Sequence, residues 1–319
     1  MRGKTKFSII IPMYNVQDTI ERCVESFLCQ KYPNLELIMV DDYSSDNTYN
    51  LCLDLKNKYE QIQLYQSPQK GVSVARNFGL EHASGDIICF CDSDDTTVQK
   101  SLYILSEMFE KHADIDMIVA GYNRIYQNEK GAQTKGFFDS KKKIWSAEQL
   151  ENHILYDNKI MGAVWNKFFR RKLLENVKFD TKLSLCEDMH FLFKVLSKHN
   201  EMKILRLDCA LYNYHQNTNS VTNSVNKIFN KNGRIEYVIS LEAIIRDCEL
   251  SKYTYWLTRR AMFVVASDTL IYFDITKEQK KEILTVIKKN IIYFIGLPFI
   301  TSKANLARIL RIFIRGIWK

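Results

Sequence analysis

Short apolar runs, each closed by proline or by acids and separated by helix-like segments, constrain this chain more than any other feature. Phe7-Ser8-Ile9-Ile10-Ile11-Pro12-Met13-Tyr14-Asn15 is the first run, and Leu35-Glu36-Leu37-Ile38-Met39-Val40-Asp41-Asp42 is the second. Such runs read as parallel strands buried on both faces. Between them Asp18-Thr19-Ile20-Glu21 fits a capping box, with Ile20, Val24, Phe27 and Leu28 following at helical spacing. A second helix beginning near Asp46 and Thr48 leads to a third strand at Ile62-Gln63-Leu64-Tyr65. The alternation predicts an α/β fold, Rossmann-like, with a mostly parallel sheet flanked by helices. Its ligand crevice then lies at the carboxyl ends of the strands.

A further run, Ile87-Ile88-Cys89-Phe90-Cys91, ends in Asp92-Ser93-Asp94-Asp95. Residues i and i+2 of an extended segment share a face, so the carboxylates of Asp92 and Asp94 can converge there. Two such groups repel unless a positive charge lies between them. Mg²⁺ and Mn²⁺ take oxygen ligands, and Mg²⁺ commonly uses one or two carboxylates together with substrate phosphates. The cluster therefore reads as a metal–diphosphate site, against the alternative of a solvated loop whose acids serve as turn and cap residues. Tyr14, Asp41 and Asp42 fall at the same predicted sheet edge, which favours the site.

The order and spacing of several segments resemble the family 2 glycosyltransferases of GT-A fold. They are Ile10 to Asn15, Val40 to Thr48, Lys70-Gly71-Val72-Ser73-Val74-Ala75-Arg76-Asn77-Phe78-Gly79, and Gly85 to Asp95. Val164-Trp165-Asn166-Lys167-Phe168-Phe169-Arg170-Arg171, Cys186-Glu187-Asp188-Met189-His190-Phe191 and Leu211-Tyr212-Asn213-Tyr214-His215-Gln216 extend the likeness over about two thirds of the chain. Two departures stand out. The family usually has glycine where Tyr43 stands, and often glycine where Cys186 stands. Glycine tolerates positive φ, so Tyr43 is expected to alter its turn.

The resemblance implies donor-binding roles for Pro12, Tyr14, Asn15, Asp41, Asp42, Gly71, Asp92 and Ser93. An acid of the Asp41-Asp42 pair would accept the imide hydrogen of uracil, which favours a UDP-sugar over a CMP-sugar. Asp94 and Asp92, with His215 as a further candidate, would hold Mn²⁺ or Mg²⁺ between the phosphates, where the ion assists departure of the nucleotide. Asp188 would be the general base of an inverting single displacement on an acceptor hydroxyl. Trp165, Asn166, Lys167 and Glu187 would lie on the acceptor side. Plainer readings stand beside these. Ser184-Leu185-Cys186-Glu187 also fits a capping box, with Glu187 and Asp188 as first-turn helix acids. A lone histidine is commonly structural, and Arg76 either pairs with the acids or fixes its helix.

Composition bears on compartment and partners. Cys23, Cys52 and Cys89 lie in apolar patterns, and the eight cysteines show no paired metal-type spacing, which fits reduced thiols and a cytoplasmic protein. The basic start is followed by an apolar stretch cut short at Pro12, unlike a signal peptide. Residues 1–220 are read as the glycosyltransferase domain and 221–319 as a helical region. From Ile283 onward there are seven basic residues and no acid, so the net charge of +8 belongs almost wholly to that end. Leu306, Ile309, Leu310, Phe313 and Ile317 alternate with Arg308, Arg311, Arg315 and Lys319 at helical spacing. Such a helix suits an anionic membrane surface, at about 1 kcal/mol for each basic residue, or docks on protein. The stretch Ile291 to Ile300, interrupted by Pro298, is too short to span a bilayer. Nucleic acid is a poor partner, because the remaining charge is balanced and no binding motif occurs.

These features together predict transfer of a sugar from a UDP-sugar to a glycan, expected to be lipid-linked, in cell-surface polysaccharide synthesis at the inner membrane face. The alternatives are a catalytically inactive sugar-nucleotide-binding scaffold and a phosphoacceptor domain, the latter disfavoured by Asp92 to Asp95.

Overall fold

The computed structural model describes residues 5–126, 132–135, 144–156, 160–216, 231–272 and 275–295. Four parallel strands form the first half of the sheet: β1 (Phe7–Met13), β2 (Leu35–Asp41), β3 (Ile62–Gln66) and β4 (Ile87–Phe90), in the order β3-β2-β1-β4. Every residue of β1 and β2 is buried. Alternate side chains serve two cores. Ile9, Ile11, Leu37 and Met39 pack with α1 (Ile20–Leu28) and α2 (Thr48–Lys58), whereas Ile10, Ile38 and Val40 face the opposite core with Ala75 of α3 (Val72–His82). Continuous apolar runs are what a sheet covered on both faces requires. Pro12 is tolerated in this central strand because pairing of β1 with β4 ends at Ile10↔Phe90, before its missing N–H is needed.

The second half is mixed. β5 (Thr96–Thr97) and α4 (Ser101–Lys111) precede β6 (Met117–Tyr126), with β7 (Ala132–Lys135) and β8 (Ile144–Trp145) off the main path. After α5 (Ala147–Tyr156), β9 (Lys167–Arg170) runs antiparallel to both β4 and β6 and so joins the halves. α6 (Glu187–Lys198) leads to β10 (Ile204–Gln216), which is parallel to β6. The expected mostly parallel α/β sheet is present, with antiparallel strands completing it.

Beyond the sheet come α7 (Lys231–Asp247), α8 (Lys252–Tyr272) and α9 (Lys277–Ile295). α7 packs on α6, and α8 packs on α5, α7 and α9. Leu241, Ile244, Phe263, Ala266 and Ile287 belong to the same apolar core as Ile10, Phe90 and Phe191. Among the described residues no helix is long and apolar enough to cross a membrane. The basic tail helix expected from Leu306 to Lys319 lies outside the described residues.

Neither expected capping box forms. α1 has Thr19 at its N-cap without a side-chain cap bond, because that hydroxyl donates instead to the Val16 and Ser93 carbonyls. At α6 the N-cap is Cys186, in the left-handed region, and the Glu187 carboxylate is taken by Arg76 rather than folding back to the helix end.

At the sheet end opposite the acidic loops, Glu36 is buried and accepts hydrogen bonds from the Ser8 hydroxyl, the Ser84 amide (2.7 Å) and the Ser84 hydroxyl (2.8 Å), with Lys6 Nζ at 2.9 Å. Burial opposes ionisation, yet these donors hold the carboxyl at about 2, down from 4.5. A depressed carboxyl stabilises the fold above its unfolded value, and the benefit fades as pH falls through the folded one. Glu36→Gln should cost about 3 kcal/mol in urea titrations at pH 7. That difference should shrink as pH falls from 4.5 towards 2. A difference that does not vary with pH would remove the ionised network from the account.

Candidate active site

The carboxyl ends of β1, β2 and β4 open onto one edge, and their loops are tied together there. The β1–α1 loop is held by Asn15 N–H to Ser44 Oγ (3.0 Å) and by Val16 N–H to Thr48 Oγ1 (2.8 Å), while Ser45 N–H donates to Asn15 Oδ1 (2.7 Å). Tyr43 has φ 60° and Cys186 has φ 57°. Both positions where glycine was expected thus carry the backbone conformation that glycine adopts most easily. Tyr14 and Tyr43 stand out from this edge, 46% and 45% exposed, and Lys70 Nζ lies 4.8 Å from the centroid of the Tyr14 ring. Pro12 remains buried in the strand beneath them.

Asp41 and Asp42 end β2 and are both buried. Asp41 Oδ2 accepts from Ser44 N–H at 3.2 Å, but its Oδ1 has no hydrogen-bond partner although the residue is only 1% exposed. A buried acceptor in that state is costly unless a donor arrives. Asp42 Oδ1 accepts from Gly71 N–H at 2.7 Å, and burial raises its carboxyl against that bond. Gly71, at φ 130°, is the N-cap of α3.

One turn into α3, Arg76 is buried and meets three acids from two distant segments. Its Nη2 lies 3.1 Å from Asp92 Oδ1, and its Nη1 lies 2.8 Å from both Glu187 Oε1 and Asp188 Oδ1. α3 therefore links the Asp42 end of the edge to the start of α6. Burial raises the Asp188 carboxyl to about 7 despite the pull of Arg76, with Glu187 and Asp92 adding to the rise. Its other oxygen, Oδ2, faces the Val164 amide at 3.4 Å.

The acidic loop divides into different tasks. Asp94 makes no ion pair among the described residues, and burial followed by the charge of Asp92 pushes it up to about 6. Arg22 donates to the Asp94 backbone carbonyl (2.6 Å), and Ser93 is buried with its carbonyl on Thr19. Asp95 is fully buried, accepting from Tyr212 Oη and from the His215 amide, both at 2.7 Å. His215 Nε2 lies 3.0 Å from Thr96 Oγ1, and burial with Arg22 holds the ring near 4, so it is neutral at ordinary pH. A neutral imidazole keeps a lone pair for a ligand.

A half-buried acid beside a second one, without an ion pair among the described residues, fits a divalent ion, and Asp94, Asp92 and neutral His215 supply suitable donor types. Their donor atoms are not drawn together as a trio. Among the described residues the trio whose donor atoms all lie within 4.8 Å is Asp180, His190 and Asp247. That group already holds a cation, since Arg246 Nη2 is 2.7 Å from Asp247 Oδ2 and 3.8 Å from Asp180 Oδ2.

The residues expected on the acceptor side are enclosed. Trp165, Asn166 and Lys167 are buried, with Trp165 stacked on Tyr212 at 4.6 Å and Asn166 Nδ2 donating to the Ala120 carbonyl. The enclosed side chains of Asn166 and Trp165 pack on β6 and β10. Glu187 is committed to Arg76. Sequence reasoning missed the bracing of the acidic loop by Asp95 and Tyr212. The one available signal was a third acid following a buried strand.

Comparison with known proteins bears on the family and the fold. The chain is 29% identical to the uncharacterized glycosyltransferase EpsJ of Bacillus subtilis over 218 residues, 67% of this chain and 62% of that protein. It is 27% identical over 248 residues to the minor teichoic acid biosynthesis protein GgaB of the same organism, covering 76% of this chain and 27% of GgaB. The matches thus span less than two thirds of either relative. A crystal structure of residues 1–349 of TarS from S. aureus in complex with UDP superposes with TM-score 0.69 at 20% identity, covering 96% of this chain and 86% of that one, a likeness of fold. The family model described as glycosyl transferase family 2 matches residues 8–178, more than half of the chain, and the protein belongs to that family.

Proposed function

We propose that the protein is an inverting, metal-dependent glycosyltransferase that moves a sugar from a UDP-sugar to a hydroxyl of a cell-surface glycan. The observation that carries this reading is the Asp92–Arg76–Asp188 link beside the unpaired carboxylate of Asp94, on the strand edge that also holds Asp41, Asp42 and Tyr14. Tyr14 offers a face to the base, and the unpartnered Asp41 Oδ1 awaits a donor such as the uracil imide. Asp94 and Asp92, with His215 behind them, would hold Mn²⁺ or Mg²⁺, which when bound neutralises the diphosphate and assists its departure. Asp188, ionised above about 7, takes the proton of the attacking hydroxyl. UDP in the TarS complex and the teichoic acid role named for GgaB support the donor and acceptor classes.

We also assign residues 1–220 to catalysis and 221–319 to a helical region, whose described residues share the core of the first, and propose that its basic end binds the cytoplasmic membrane face near lipid-linked acceptors. Purified protein incubated with UDP-glucose, UDP-galactose and their N-acetyl forms, with Mn²⁺ or Mg²⁺, is expected to release UDP faster when anionic glycolipid vesicles are added. Chelation should abolish release. UDP binding without turnover for every donor would replace the enzyme with the silent scaffold, and equal rates without vesicles would remove the membrane.

A further inference from the structure

Lys167, the first residue of β9, is 0% exposed although its side chain ends in an amine, and it lies behind the proposed base. Its Nζ donates to the Met161 carbonyl (2.8 Å), the Ala163 carbonyl (2.6 Å) and Asn166 Oδ1 (2.8 Å). Three acceptors match the three hydrogens of an ammonium, whereas a neutral amine would leave one of them without a partner. Burial pulls this group down to about 7, and the negative charge that holds it up is Asp188.

The segment gathered by Lys167 meets the start of α6 at two points. Val164 N–H faces Asp188 Oδ2 at 3.4 Å. A Cβ added at Gly162 would lie 2.7 Å from both Cβ and Cγ of Met189, the residue after Asp188, so the loop packs on the helix as closely as a side-chain-free residue permits. The base of the segment is pinned by Asn166, whose amide donates to Ala120 and whose carbonyl accepts from the Ala120 amide. The charged groups around Asp188 are Arg76 from α3, Asp92 from the acidic loop, Glu187 from its own helix and Lys167 from β9; the Cys186 thiol, raised by burial to about 12, stays neutral. Arg76 holds one oxygen of the carboxylate. The Lys167-gathered loop limits the other.

We propose that Lys167 is a positioning residue for sugar transfer: it draws the 161–164 segment onto the first turn of α6 and thereby aims the Asp188 carboxylate, without touching donor or acceptor. The proposal rests on Asp188 being the base. It explains why a lysine is buried among carbonyls at a place where an acceptor contact would need exposure.

Two variants approach the contact from opposite sides. Lys167→Met keeps the length and removes the three donated bonds, and Gly162→Ala pushes on Met189 while leaving Lys167 intact. Each should lower kcat by about 10–100-fold, the scale of an ångström-sized misplacement, with donor KM and UDP affinity within about twofold of wild type. Unchanged kcat in either folded variant, or parallel loss of kcat and UDP affinity in both, would overturn the proposal. If Lys167→Met does not fold, Gly162→Ala decides. Hydrogen exchange at the Val164 amide supplies a readout independent of turnover: exchange about tenfold faster in Lys167→Met is expected, and unchanged exchange rejects the claim. A wild-type protein without turnover would count against the proposed activity, and the exchange measurement would then judge the positioning role alone.

Discussion

Asp188→Asn is expected to lower kcat by about 10²–10⁴-fold, the usual contribution of a positioned base. UDP affinity should stay near that of wild type, because the aromatic edge and the Asp41-Asp42 pair lie on other loops. The environment gives the experiment a second signature. Burial keeps the carboxyl near 7 although Arg76 pulls it down. A base must be ionised, so wild-type activity should rise with pH through that value, and the limb should vanish in the variant. Stability should suffer little. A carboxyl whose folded value exceeds its unfolded 3.8 costs stability progressively as pH rises between the two, so the neutral amide relieves that cost. Arg76 meanwhile retains Glu187 and Asp92. Wild-type turnover by Asp188→Asn with the limb intact would remove the base assignment.

How much of this was legible beforehand differs between backbone and side chains. Period and composition place β1 and β2 close to their observed bounds, because a strand covered on both faces is a nearly continuous apolar run, and β3, at the end of the strand order, shows in its alternation the half-buried pattern. Tyr43 and Cys186 were visible as departures from glycine, and each indeed sits at positive φ. The acids of the sheet edge follow from strand ends alone. What could not be read is which charge each acid meets. Arg76 and Asp188 are 112 positions apart, and their 2.8 Å contact depends on how α6 docks against α3 across the acidic loop. Burial of Lys167 was hidden for a similar reason. Its neighbours Trp165 and Phe168 announce an apolar setting, but only the folded loop supplies the three acceptors that make a charge tolerable there. The failed capping boxes belong with these, since Thr19 and Glu187 had better partners far away in sequence.

Arg76→Met is expected to destabilise the protein by about 3–5 kcal/mol, the cost of removing one member from a buried ionic group. The magnitude follows from what stays behind: Asp92, Glu187 and Asp188 would face one another with no cation between them. Protonation relieves that repulsion, so the difference from wild type in urea titrations should narrow as pH is lowered, opposite to the behaviour of a variant that merely lost packing on Phe179, whose ring lies 5.4 Å from the guanidinium. Arg76→Lys should fall between the two. Arginine reaches Asp92 through one terminal nitrogen and Glu187 with Asp188 through the other, a fork that a single ammonium cannot reproduce. The same arithmetic explains how a stabilising cluster can coexist with a site that still attracts a metal. One guanidinium faces three carboxylates and Asp94 adds a fourth acid nearby, so the edge remains short of positive charge even with Arg76 in place. Added Mn²⁺ should therefore stabilise the wild-type protein against urea, and more so Arg76→Met, where the deficit is larger. Equal and negligible stabilisation of both proteins by Mn²⁺ would mean that the acids of this edge do not share one cation.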